Sequence, residues 1–319
     1  MVWVALQLWS RYGMYLKRFT SYYQLCKIRI AFFSGLSAVA GYVLIAAQLQ
    51  AQLVIVFAGV FLLASGASGL NQCQERATDA LMSRTKNRPI PSGRISPHNA
   101  LLFSIMLGTS GIYILYAGCG SMPAMLGLIA TVWYNGVYTS LKRKSAFAAI
   151  PGALTGAMPP AIGWVAAGGH LSDPRLSAIS LFFVIWQIPH FWLLLMNHGN
   201  EYRDAGLPSL TLILSRAQIA RIVFQWIAAT AVCGPALCLF GLAQSSLIQY
   251  SLLVASMLLI LQVAGIARNS CIARPVFVRL NTYMIVVIAL LVTDRLYILS
   301  GPLPSGFSKI YTVIASSYL

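Results

Sequence analysis

Long apolar runs of about 20 residues, broken by short polar stretches, repeat along most of this chain. None has the alternation of apolar and polar positions that marks a half-buried strand. The pattern predicts an all-α, polytopic membrane helix bundle of about nine transmembrane helices, at roughly 28–47, 51–74, 98–118, 121–141, 146–167, 176–197, 215–242, 247–267 and 279–300. Residues 1–25 read as an N-terminal tail lying at the membrane surface, 26–300 as the transmembrane domain and 301–319 as a C-terminal tail. A cleavable signal peptide is not expected, because Arg11, Lys17 and Arg18 follow the early apolar residues instead of preceding them. The fifth run, PGALTGAMPPAIGW, carries Gly152, Gly156, Pro159, Pro160 and Gly163, which predicts a thin, kinked helix packed closely on its neighbours.

Charge sharpens this picture. Apolar residues make up 58% of the chain and charged residues 9%, with a mean hydropathy of +0.75. The net charge of +16 is not a nucleic-acid signature, because the basic residues lie between apolar runs. With the N-terminus inside, 19 of the 22 Lys and Arg fall on the cytoplasmic side; Arg175, Arg295 and Lys309 do not. That asymmetry predicts an N-in, C-out topology. Cys26, Cys73, Cys119, Cys233, Cys238 and Cys271 have no paired or metal-type spacing and read as small apolar packing residues.

Against this background one stretch stands out, NQCQERATDALMSRTKNRPIPSGRISP from Asn71 to Pro97. Only six carboxylates occur in the chain, and Glu75 and Asp79 are two of them. On a helix, Asn71, Glu75 and Asp79 are spaced i, i+4, i+8 and share one face. Arg84, Lys86 and Arg88 follow, closed off by Pro89. Oxygen ligands next to guanidinium and ammonium groups suit a divalent cation bridging a diphosphate. A solvated loop at a polar helix end is the plainer reading, but intramembrane or boundary carboxylates are costly and usually have a task. Glu201 and Asp204 follow the sixth run as Glu75 and Asp79 follow the second, which suggests two half-sites across one cavity. Tyr138 and Lys142, four apart at a helix end, would reach the same cavity, although Lys142 equally suits a simple positive-side anchor. His190, in WQIPHFW, is either a satisfied core residue or a ligand contact, and the residue types leave both open. Asp173 and Asp294 are assigned no catalytic role.

Taken together, these motifs resemble the UbiA superfamily of intramembrane prenyltransferases, and within it the protoheme IX farnesyltransferases, or heme O synthases. The run Met82, Arg84, Thr85, Arg88, Pro89, Gly93, Pro97 matches the family pattern. So do Tyr138 to Lys144 (YTSLKRK), Gly156 to Trp164 (GAMPPAIGW), Trp186 to Phe191 (WQIPHF) and Glu201 to Leu210 (EYRDAGLPSL), over about residues 25–300. The chain departs from the pattern at Glu75 and Glu201, where the family has aspartate, and at Ala77, Ala148 and Ile28. Each glutamate extends its carboxylate by one methylene, about 1.5 Å.

The resemblance implies a farnesyl transfer from farnesyl diphosphate to a vinyl group of heme b, with water addition, giving heme O and pyrophosphate. It implies magnesium, as two ions, held by Asn71, Glu75, Asp79 and Glu201. Arg84, Lys86, Arg88 and Lys142 would bind the diphosphate, Tyr138 would face the allylic cation, and His190 with Trp186 would touch heme, which is substrate and not prosthetic group. Farnesyl diphosphate, heme b, membrane lipid and a downstream heme A synthase or terminal oxidase assembly are the implied partners, in the bacterial cytoplasmic (inner) membrane. The alternatives are a UbiA-type enzyme with another acceptor, such as a quinone precursor, and a catalytically weak paralogue acting in heme handling. A transporter is disfavoured, because the carboxylates cluster at helix ends beside an Arg-rich loop instead of at mid-span.

Overall fold

The computed structural model describes residues 18–264 and 273–300, so most of the expected N-terminal tail, the C-terminal tail and Cys271 lie outside the described residues. Every regular element among the described residues is helical. The main ones are α1 (Ile28–Ala46), α2 (Gln52–Gln74), α3 (Arg76–Leu81), α4 (Pro97–Cys119), α5 (Ser121–Thr131), α6 (Thr139–Leu141), α7 (Ala149–Gly152), α8 (Leu154–Ala166), α9 (Pro174–Asp204), α10 (Leu210–Ile213), α11 (Arg216–Ala236), α12 (Ser246–Val263) and α13 (Ala273–Ser300). Seven of them, α1, α2, α4, α9, α11, α12 and α13, carry stretches long and apolar enough to cross a bilayer. The two other apolar runs are interrupted. The run at 121–141 passes from α5 through a π-helical segment, Val132–Tyr138, into α6, and the run at 146–167 is split between α7 and α8. In α8 both Pro159 and Pro160 lie inside the helix, as the kinked reading anticipates.

Helix ends follow local chemistry. Ser96 caps α4 by accepting from the Asn99 amide, with Pro97 in the first turn, and Asp173 caps α9 in the same way ahead of Pro174. Ser215 and Gln218 form a reciprocal capping box at the start of α11. The surface is inverted relative to a soluble protein: Leu239, Leu247, Val54, Tyr250 and Leu261 are largely exposed, as the lipid-facing side of a membrane bundle requires.

Two larger apolar cores result, beside a small one of Leu25, Ile90, Ile95 and Ala100. One joins Phe182, Ile188 and Leu193 of α9 to Val223 and Ile227 of α11 and to Leu280 and Val287 of α13. The other joins Ala38 and Tyr42 of α1 to Val60 and Leu63 of α2. Helix α8 serves both, through Trp164 and Ile162 respectively. Its approach to α1 is backbone against backbone. A Cβ at Gly41 would lie 2.0 Å from the Pro160 carbonyl oxygen, and one at Gly163 would lie 1.7 Å from that of Ala38.

Asp294, 2% exposed, accepts from the backbone amides of Gln244 (2.8 Å) and Ser245 (2.9 Å) and so ties α13 to the start of α12. This is a structural task for a carboxylate beside a helix N-terminus. Asp294→Ala is expected to cost about 1–3 kcal/mol, seen as earlier thermal unfolding. An unchanged melting temperature would remove Asp294 from the stabilising set.

Candidate active site

The Asn71–Asp79 face survives a break in its helix. Helix α2 ends at Gln74, and Glu75 (φ −95°, ψ 7°) separates it from α3. The Glu75 amide still bonds to Asn71 O (2.9 Å) and the Asp79 amide to Glu75 O (2.8 Å), so the four-residue stagger is kept. All three residues are at most 4% exposed.

One oxygen of each meets a basic side chain. Arg88 pairs with Asp79 Oδ2 at 2.7 Å, and Lys142 with Glu75 Oε1 at 2.6 Å. Lys27 Nζ donates to Asn71 Oδ1 at 3.2 Å, while Asn71 Nδ2 donates to Thr139 Oγ1. The loop after α3 is folded back by Thr85 Oγ1, which donates to Asp79 O (2.8 Å) and so aims Arg88 inward. Lys142 is positioned by the π-helical segment. Asn135 donates to Ala67 O and Gln74 Oε1 of α2, and Arg143 bonds to the Gln74 carbonyl. Burial opposes a charge on Lys142, but Glu75 leads the groups that raise its pKa above the ordinary lysine value.

The expected residues are therefore not all brought together. Asn71, Glu75, Asp79, Arg88 and Lys142 converge. The Arg84 and Lys86 side chains are exposed. Arg84 contributes its backbone amide, which donates to Glu201 Oε2 at 3.0 Å and links the two acidic stretches. Asp204 is exposed, beside Arg203. Among the described residues no three acidic, histidine or cysteine side chains sit close enough to share one cation, so Glu201 stands apart from the Glu75–Asp79 pair. Two carboxylates and an amide oxygen are hard donors, too few for an all-protein cage. They are the donor type that would hold magnesium, with its remaining positions left to other oxygen ligands.

Lys27 is the residue that motif reasoning missed. It precedes α1 in left-handed backbone geometry (φ 46°, ψ 51°), an unusual conformation for a side chain-bearing residue. Burial and then the Arg88 charge lower its pKa to about 7, with Glu75 pulling the other way. A bound diphosphate favours the charged form, so binding takes up a proton wherever the free amine is neutral. Affinity for magnesium pyrophosphate is accordingly expected to fall as pH rises above about 7, and Lys27→Met is expected to remove that component. Titration calorimetry at several pH values reads this directly, and identical pH profiles for the two proteins would contradict it.

Beyond the polar cluster lies an aromatic wall. Tyr138 stacks on Phe191 of α9 (5.9 Å between centroids, 12° between planes) and lies near Tyr134. Phe191, Trp186 and Phe277 surround His190 at 5.8, 5.0 and 4.8 Å. Gly152 and Gly156 leave the room this needs, since a Cβ on either would strike the Tyr138 ring or Gln187 Oε1. Trp186 Nε1 and Gln187 Oε1 are buried with no hydrogen-bond partner among the described residues. A buried donor and a buried acceptor left open beside a cage are what a partly polar ligand would satisfy. The site thus joins a charged end to a flat, aromatic one.

The UbiA prenyltransferase family model matches residues 34–281, and the chain belongs to this family. Its curated relatives include protoheme IX farnesyltransferases. That of Geobacter sulfurreducens is 42% identical over 214 residues, covering 67% of this chain and 79% of that one. That of Oleidesulfovibrio alaskensis is 34% identical over 275 residues, covering 85% and 95%. Among solved structures, a UbiA homolog from Archaeoglobus fulgidus bound to GPP and Mg2+ superposes with a TM-score of 0.66 at 15% identity, over 88% of this chain and 100% of that one. The apo UbiA homolog from Aeropyrum pernix K1 gives 0.67 at 19%, over 84% and 98%. At these identities the structural likeness speaks for the fold.

Proposed function

We propose that this chain is a heme O synthase, transferring farnesyl from farnesyl diphosphate to a vinyl group of protoheme IX. The observation that carries the reading is the continuity from the Asn71–Glu75–Asp79 cluster, through the Tyr138–Phe191 stack, to His190. The names of the relatives supply the acceptor. Arg88, Lys142 and Lys27 take the diphosphate oxygens, with Arg84 and Lys86 at the exposed rim. Asn71, Glu75 and Asp79 would hold magnesium, and Glu201, which sits apart on the Arg84 amide, would serve a second ion. Magnesium so held would neutralise the charge that develops on the leaving group.

The cationic side chains favour heterolysis of the C–O bond, whose electron pair leaves with pyrophosphate. Tyr138 presents its ring face to the allylic cation. The vinyl π electrons form the new C–C bond, and the cation that results on the porphyrin side adds water and loses a proton. Apolar helices keep water from the first cation until the bond has formed. We place the site at the cytoplasmic face of a bacterial inner membrane in an N-in, C-out bundle of nine spans, counting the interrupted fourth and fifth. The basic residues on that side support the orientation.

The test is turnover by purified protein supplied with farnesyl diphosphate, ferrous heme b and magnesium, with and without chelator, read by mass spectrometry. Magnesium-dependent heme O is the expected product. Pyrophosphate without heme O would assign another acceptor, and neither product would overturn the enzymatic reading.

A further inference from the structure

His190 is held from across the bundle by a residue that no motif singles out. Its Nδ1 lies 2.8 Å from Oδ1 of Asn281, on α13. The orientation of that amide is decided by its other end: Asn281 Nδ2 donates to the Phe277 carbonyl oxygen at 2.6 Å, a contact an amide oxygen could not make. Oδ1 therefore faces the imidazole, and an oxygen that only accepts requires a proton on Nδ1. The neutral ring then carries its free lone pair on Nε2, and among the described residues no hydrogen bond engages that nitrogen. Trp186, Phe191 and Phe277 wall the ring on its other sides, and Phe277 is the residue whose carbonyl anchors Asn281.

We propose that Asn281 is a positioning residue which fixes the Nδ1–H tautomer of His190, so that Nε2 is presented as an axial ligand to the iron of the porphyrin acceptor. This rests on the heme-acceptor reading above. A metal-binding histidine whose second nitrogen donates to an oxygen acceptor gains both orientation and basicity. Here the acceptor is a neutral amide, so the imidazole stays a moderate ligand, suited to a porphyrin that must depart after one turnover.

The experiment uses the full chain in lipid nanodiscs, titrated with ferrous heme b in the absence of farnesyl diphosphate. Affinity is read by absorption, and the iron–histidine stretching band by resonance Raman spectroscopy. Wild type is expected to show that band, and His190→Ala to lack it. Asn281→Leu is expected to bind heme roughly 10–100-fold more weakly with the band shifted or lost. Asn281→Asp, with a stronger acceptor, is expected to move the band to higher frequency. No heme binding by wild type, or an unaltered band in His190→Ala, would overturn the underlying reading of His190. Loss of the band in His190→Ala with wild-type affinity and frequency in both Asn281 variants would overturn the role of Asn281 alone. If Asn281→Leu cannot be recovered folded, Asn281→Asp decides: an unmoved band overturns the proposal.

Discussion

Asp79→Asn is expected to leave an inserted, folded protein that turns over at least roughly 10²–10³-fold more slowly. Asparagine keeps the shape of the side chain and an oxygen for Arg88, so the 2.7 Å contact has a neutral replacement and the loop held by Thr85 keeps its anchor. What is lost is one negative charge at a position 1% exposed, beside Glu75. Only two carboxylates converge there, and halving their charge removes most of the attraction for a divalent cation. Turnover and magnesium affinity should fall together while the melting temperature moves little. Wild-type turnover in Asp79→Asn would sink the metal-ligand role.

Lys142→Met should damage both stability and rate. The Glu75–Lys142 pair is largely withdrawn from water, with side-chain exposures of 5% and 20%. Removing the ammonium leaves Glu75 buried without its 2.6 Å partner, at a cost of roughly 3–5 kcal/mol. The double variant Glu75→Gln/Lys142→Met removes both charges and should recover most of the stability without recovering activity. That split separates the structural role of the pair from its chemical one. Equal stability of the single and double variants would mean that solvent already compensates Glu75.

The parts of this site legible in the sequence are those that local periodicity brings together. Asn71, Glu75 and Asp79 follow from four-residue spacing, and Tyr138 and Lys142 from the same rule on a second helix. Arg88 was readable from its place after the acids, but its difference from Arg84 and Lys86 was not. Which of three nearby cations turns inward depends on the Thr85–Asp79 bond, a detail of loop folding. Lys27 escaped because it reaches Asn71 from 44 residues away. In the sequence it is one more basic residue in a count that sets orientation. Asn281 did leave a signal, an amide inside an apolar run, but its partner lies 91 residues away and no pattern connects them. The two interrupted spans differ in the same way. Prolines announce the bend in α8, whereas no residue type announces the wide turn before Tyr138.

That wide turn takes up one residue more than an α-helix of nearly the same length would. In Val132–Tyr138 the backbone bonds skip one residue more than in an α-helix, ending with the Thr139 amide on Tyr134 O. Deleting one residue there would let the segment relax to α geometry with little displacement beyond it, whereas a deletion within α5 would turn everything that follows by about 100° and draw it back about 1.5 Å. Thr139 would leave Asn71, Lys142 would leave Glu75, and no side-chain substitution could return them. Along Ser121–Thr131 the number of residues is thus constrained as strictly as their identity, whereas the π-helical segment that follows is where the chain could lose a residue and keep the cluster together.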